Sequence, residues 1–191
     1  NHMKMNQYNA ATGELLKTLF EETDSKYVEP QHPLTFFPNS NTDFIWQSQR
    51  TGYNHLFHYS LEKGLVAQIT KGDWLVTDIL GFNEKKKEIY FTSTKETPLE
   101  RHLYKINWTN FKMQRLDDAP GMHIGTLSND GNYLYDAYSN ANSPRIANII
   151  NTSNLKSSNI LTSENPLKNY QRPEIKLSLI HISEPTRPLY I

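Results

Sequence analysis

Phe44-Ile45-Trp46-Gln47-Ser48, then Tyr53-Asn54-His55-Leu56-Phe57-His58-Tyr59, then Ala67-Gln68-Ile69-Thr70 are three short runs of aromatic, β-branched and alternating polar residues parted by turn formers. Runs of this length and composition read as β-strands. Their order returns further along the chain. Ile89-Tyr90-Phe91-Thr92-Ser93 begins 45 positions after Phe44, His102-Leu103-Tyr104-Lys105-Ile106 begins 47 after His55, and Gln114-Arg115-Leu116 begins 46 after Gln68. A looser third copy follows. Tyr133-Leu134-Tyr135-Asp136-Ala137 starts 44 positions after Ile89, Arg145-Ile146-Ala147-Asn148-Ile149 starts 43 after His102, and Ile160-Leu161-Thr162 starts 46 after Gln114. Ahead of them all, Tyr8 and Gly13 stand 51 positions before Tyr59 and Gly64, so residues 1–26 read as the third and fourth strands of a partial copy.

A strand cassette repeated at about 45 residues is the unit of a β-propeller blade. The expected fold is therefore all-β: about three four-stranded blades, a fragment of a larger ring, with blades at 27–72, 73–120 and 121–176 after the partial one. Composition agrees. Only 37% of residues are hydrophobic while aromatics supply 12%, a balance suited to many short, half-buried strands. Alternation of Phe44 and Trp46 with Ile45 and Gln47 has period 2, and no long amphipathic helix is visible. Thr12-Gly13, Lys63-Gly64 and Asn129-Asp130-Gly131 each place a residue tolerant of positive φ between apolar runs, as hairpins require.

Charge and residue inventory exclude several function classes. Lys+Arg and Asp+Glu number 20 each, so there is no basic field to attract nucleic acid. Lys85-Lys86-Lys87, flanked by Glu84 and Glu88, reads as a solvated hairpin tip. No apolar stretch approaches the ~20 residues of a membrane-spanning helix. The chain has no cysteine, which removes disulfides, thiol catalysis and thiolate metal sites. No Gly-x-Ser-x-Gly nucleophile elbow occurs, so no catalytic residue is assigned. His55 and His102 hold equivalent cassette positions, which points to packing or hydrogen bonding within a blade; no histidine spacing suggests a metal site, and no cofactor is expected. The carboxylates that follow Asp130-Gly131 do not have EF-hand spacing. Asn107-Trp108-Thr109 and Asn151-Thr152-Ser153 match the glycosylation sequon and are read as chance occurrences.

Asp43-Phe44-Ile45-Trp46-Gln47-Ser48, Arg50-Thr51-Gly52-Tyr53-Asn54-His55-Leu56, Gln68-Ile69-Thr70-Lys71-Gly72-Asp73-Trp74 and Tyr90-Phe91-Thr92-Ser93-Thr94 together resemble the dipeptidyl peptidase IV branch of the prolyl oligopeptidase family, its bacterial members above all. Arg101-His102-Leu103-Tyr104, Gly121-Met122-His123 and Tyr27-Val28-Glu29-Pro30 extend the likeness to about residues 2–176. The resemblance implies the last three or so blades of an eight-bladed propeller that caps an α/β-hydrolase domain. That domain would carry a Ser-Asp-His triad releasing N-terminal Xaa-Pro or Xaa-Ala dipeptides. The expected partner is then a peptide substrate held through the hydrolase domain, in a homodimeric parent placed in the periplasm or outside the cell.

In that family a glutamate pair on a propeller insertion anchors the substrate amine. Glu21-Glu22 is not assigned this role, because it closes the strand Leu15-to-Phe20 and lacks the insertion's context. The 27–33 loop is expected to face the substrate vestibule, with Tyr27, Glu29 and His32 as its candidate lining residues. The alternative reading is a non-catalytic propeller scaffold that binds a protein or peptide. Residues 172–176 resemble the strand that leaves the propeller for the hydrolase. Residues 177–191 look like a translated sequencing adapter and are set aside from fold reasoning.

Overall fold

A computed structural model describes residues 1–141 and 143–171; the exit strand at 172–176 and the tail at 177–191 lie outside the described residues. Among the described residues, four antiparallel sheets follow one another. A hairpin of β1 (His2–Tyr8) and β2 (Leu15–Thr23) comes first. Three four-stranded meanders follow: β3 (Thr35–Phe36), β4 (Asp43–Ser48), β5 (His55–Ser60) and β6 (Gly64–Gln68); β7 (Val76–Asn83), β8 (Glu88–Ser93), β9 (His102–Asn107) and β10 (Met113–Arg115); β11 (Met122–Leu127), β12 (Tyr133–Ser139), β13 (Ile146–Asn151) and β14 (Ser157–Thr162). Each meander is a propeller blade, and the all-β fold expected from the repeat is the one observed. Among the described residues no helix is long and apolar enough to cross a membrane.

The central strands correct one expectation. Alternation suggested half-buried strands, yet Phe44, Ile45, Trp46 and Gln47 are all buried. The β3–β6 and β7–β10 blades are covered on both sides, so there the period-2 pattern sorts residues between two neighbours and not between core and water. Phe44, Trp46, Phe57 and Tyr59 pack toward Met3, Met5, Leu19 and Phe20 of the first hairpin. The intervening Ile45 and Leu56 meet Ile89, Phe91, Tyr104 and Ile106 of the next blade. From the other face of that blade, Tyr90 and Leu103 join Leu134 and Ile150 of the last.

Registers of the central pairs run unbroken, from Asp43↔Ser60 to Ser48↔His55 and from Glu88↔Asn107 to Ser93↔His102. A one-residue slip there would exchange the two faces, so burial on both sides specifies the pairing. Irregularities fall on innermost and outermost strands, as at Val76/Asp78, Ile79/Gly81 and Ala147/Asn148. The innermost strands β7 and β11 lack a clear strand signal in the sequence. Asp78, Gly81 and Gly125 interrupt the apolar alternation, and in β7 bulges absorb the mismatch. At Gly125 a side chain would press on Leu80 (2.7 Å) and Leu103 (2.9 Å). The strand before Glu21-Glu22 is also longer than expected; it continues through both glutamates to Thr23.

Both sequons have a structural explanation. Asn107-Trp108-Thr109-Asn110-Phe111-Lys112 and Asn151-Thr152-Ser153-Asn154-Leu155-Lys156 form the same hairpin turn, and Asn9-Ala10-Ala11-Thr12-Gly13-Glu14 forms it a third time. In each, the first Asn side chain accepts from the backbone N–H groups two and three residues on, at 2.9–3.2 Å. The fifth residue donates its N–H to the first residue's carbonyl at 2.8 Å with a left-handed backbone: φ is 73° at Gly13, 59° at Phe111 and 58° at Leu155. Asn is needed for this turn because its amide oxygen satisfies two otherwise orphaned donors.

A sign reversal between the two non-glycine turns tests this account. Phe111 is exposed, so Phe111→Gly relieves a backbone cost of about 1–2 kcal/mol and repays part of it in unfolded-state entropy, for a net gain of about 0.5–1 kcal/mol. Leu155 packs against the Tyr90–Leu134 cluster, so Leu155→Gly is expected to destabilise. Urea midpoints of the two variants read the difference directly.

Candidate functional site: a cleft at the blade ends

The C-terminal ends of β2 and β4, the β4–β5 turn and the connection after β2 meet at one end of the arc. They enclose a cleft of about 360 Å³. Tyr27 and Glu29 line it, as do Glu22, Trp46, Arg50 and Asn54; His32 is not among its lining residues. Tyr27 is 61% exposed, so its ring is free to meet a ligand.

The cleft floor is a lock between the first two sheets. Glu22 Oε1 accepts from Trp46 Nε1 at 2.8 Å and also from the Arg50 guanidinium. Arg50 donates further to Tyr59 Oη at 2.6 Å and to Ser48 Oγ at 3.1 Å, and its guanidinium lies over the Phe57 ring, 4.7 Å from the centroid. A planar, always charged cation suits a site that must both stack and form several hydrogen bonds. Burial raises the Tyr59 hydroxyl's pKa despite the Arg50 contact, so it remains a neutral hydrogen-bonding group. The Glu21 carboxylate pairs with Lys4 (3.1 Å) and His2. Its hydrogen bond from Lys4, reinforced by His2, holds its carboxyl below the usual range. No sequence spacing links Glu22, Trp46 and Arg50, since 24 and 4 positions separate them and only sheet stacking joins them.

Along the same end, histidines tie the third strand of each of the first two four-stranded blades to the segment after its fourth. His55 Nε2 donates to Gly72 O at 2.9 Å, and its Nδ1 lies 3.1 Å from Thr70 Oγ1, which accepts the Leu56 N–H at 2.9 Å. Burial, only partly offset by Gly72, lowers the His55 pKa and keeps the ring neutral. One blade on, His102 Nδ1 lies 2.7 Å from Asp117 Oδ1, and Asp117 Oδ2 accepts the Leu103 N–H at 2.6 Å. Thr70 and Asp117 are thus the same latch position, uncharged in one blade and charged in the next. The hydrogen-bonding role expected for His55 and His102 is the observed one.

In the second instance a further histidine arrives from the last blade. His123 Nδ1 lies 2.8 Å from Asp136 Oδ1, its Nε2 3.0 Å from Ala119 O, and its ring centroid 5.2 Å from that of His102. Burial alone would lower its pKa, but Asp136 and Asp117 outweigh burial and raise it. His102, Asp117 and His123, which sequence spacing does not associate, are brought within ligand distance of one another.

The family model for the dipeptidyl peptidase IV N-terminal region matches residues 1–145. The chain belongs to this family. It is 41% identical to a Bacteroides ovatus crystal structure assigned as a dipeptidyl aminopeptidase IV, with a TM-score of 0.81 over 92% of this chain and 28% of that one. Porphyromonas gingivalis dipeptidyl peptidase 4 shares the fold at 21% identity and a TM-score of 0.75, over 85% of this chain and 23% of that one. The dipeptidyl peptidase 4 of Trichophyton rubrum is 30% identical over 154 residues, 78% of this chain. The chain spans 20% of that relative's length, so within the dipeptidyl peptidase IV architecture it corresponds to a portion of the N-terminal propeller region.

Proposed function

We propose that the chain is a propeller segment of a serine dipeptidyl peptidase and that its cleft forms part of the vestibule wall through which a peptide substrate reaches a separate hydrolase domain. The observation that carries this reading is the convergence of Tyr27 and Glu29 on a solvent-open cleft with a rigid Glu22–Arg50–Trp46 floor. A rigid floor with an exposed aromatic and carboxylates at its rim suits an extended peptide: backbone amides find polar partners, a side chain lies on the Tyr27 ring, and a basic group is favoured by Glu29. His32 lies outside the cleft and has no part in it. Catalysis would rest on a serine, histidine and aspartate of the hydrolase domain. By the same resemblance, the parent would be exported and homodimeric.

The full-length protein encoded at the source locus provides the test. It should release dipeptides from Xaa-Pro peptides. Tyr27→Ala in that protein should raise KM for tetrapeptide and longer substrates about 3- to 10-fold with kcat nearly unchanged, the pattern of lost uniform binding. Full-length protein that binds peptides without cleaving them would favour the scaffold reading instead. An unchanged KM across substrate lengths would remove Tyr27 from the substrate path.

A further inference from the structure

At the seam between the β7–β10 and β11–β14 blades, the geometry points to a zinc site that binds independently of any peptidase activity: we propose that His102 Nδ1, Asp117 Oδ1 and His123 Nε2 are its ligands and that Arg115 is the internal cation that competes for it. The three atoms lie within 4.8 Å of one another, and their side chains are 1%, 0% and 0% exposed. They come from three places: the first residue of β9, the segment after β10, and the second residue of β11. A metal here would join two blades.

The outer partners of both rings already have the arrangement a metal site needs. His102 Nε2 lies 2.9 Å from Glu100 Oε2, and His123 Nδ1 lies 2.8 Å from Asp136 Oδ1. A carboxylate on the far nitrogen fixes the tautomer, makes the near nitrogen a stronger donor, and leaves its lone pair facing inward. Zinc would select this tautomer by displacing the protons that His102 Nδ1 and His123 Nε2 share with Asp117 Oδ1 and Ala119 O, and the centre is then a cluster of acceptors. His102 Nδ1 and Asp117 Oδ1 are 2.7 Å apart, His123 Nε2 and Asp117 Oδ1 are 3.7 Å apart, and Ala119 O stands 3.0 Å from His123 Nε2. Without those protons, acceptors gathered this closely and out of water require a cation among them.

Arg115 supplies one. Its Nη2 lies 2.9 Å from His102 Nδ1, 2.6 Å from Asp117 Oδ1 and 3.0 Å from Ala119 O, contacting three of the four acceptors. Its side chain is 30% exposed and also lies 3.7 Å from Glu96, so it can swing toward Glu96 and solvent without unfolding the blade. Two imidazole nitrogens and one carboxylate oxygen, with a carbonyl or water completing four, match the ligand preferences of Zn²⁺; Ca²⁺ and Mg²⁺ prefer oxygen throughout. Small shifts bring the ligand atoms to the 2.0–2.2 Å that zinc takes.

Chelator-treated full-length chain titrated with Zn²⁺, and with Co²⁺ as a spectroscopic probe, decides the matter. One equivalent of Zn²⁺ should bind and raise the melting temperature, and Co²⁺ should give the visible absorption of a tetrahedral N/O site. Arg115→Gln removes the competing cation and should tighten binding. Glu100→Gln, which keeps every ligand, should weaken it about 10- to 100-fold, an effect a purely structural ion pair would not produce. His123→Gln should abolish the Co²⁺ band, with circular dichroism confirming that the blade remains folded. No stoichiometric uptake by either wild type or Arg115→Gln overturns the proposal, as does uptake that His123→Gln leaves undiminished. Should His123→Gln fail to fold, the zinc affinity of Glu100→Gln takes its place, and unchanged affinity there overturns the proposal.

Discussion

Asp117→Ala is expected to destabilise the chain by about 3–5 kcal/mol, the cost of breaking a buried ion pair by removing one partner. The carboxylate has no exposed side-chain surface and serves three groups at once: His102, Arg115 and the Leu103 N–H. Truncation leaves a backbone donor orphaned and the Arg115 charge without its nearest counter-ion. The preceding blade provides an internal control. Thr70→Val removes the equivalent latch to His55 and Leu56, but no charge is stranded, so its cost should be about 1–3 kcal/mol. Urea unfolding of both variants in the presence of chelator, so that no bound metal contributes, should reproduce this order. Equal costs would mean that charge at the latch is irrelevant.

Phe91→Ala carries a similar expected cost of about 3–5 kcal/mol for a different reason. Phe91 is fully buried at the interface between the β3–β6 and β7–β10 blades, stacked between Trp74 (6.4 Å) and Tyr104 (5.8 Å). Its neighbours are held by their own blades. Trp74 packs edge-on against His55 at 5.0 Å, and burial raises the Tyr104 hydroxyl's pKa and keeps it neutral. Neither can collapse into the space, so the cavity persists and its penalty adds to the lost transfer energy. Phe91→Leu, which retains most of the volume, should cost much less. Near-equal unfolding midpoints for Phe91→Ala and Phe91→Leu would show that the interface can close over the gap.

The strands of the cassettes are legible in the sequence because their signals are local. Phe44–Ser48, Ile89–Ser93 and Tyr133–Ala137 are runs of β-forming residues bounded by turn chemistry, and their repetition near 45 residues identifies the blade. The inner strands are not legible, for Asp78, Gly81 and Gly125 break the pattern where bulges and close packing take over. Of the three vestibule candidates, Tyr27 and Glu29 share the cleft while His32 does not. Their neighbours Trp46 and Arg50 stand within the segments that carry the family likeness, but nothing in residue order marks them as the cleft floor.

Residue order thus established the strands, their turns and the blade repeat, all of which depend on contacts between near neighbours or on simple periodicity, while the likeness of the quoted segments pointed to the family. It could not say which blade each face of Phe44–Ser48 would meet, nor that Glu22 would bind Arg50, nor that His102, Asp117 and His123 would converge. Those outcomes belong to the stacking of sheets. Period 2 assigns a side chain to one face or the other, but what waits on that face is supplied by another blade, and only the assembled arc brings the two together.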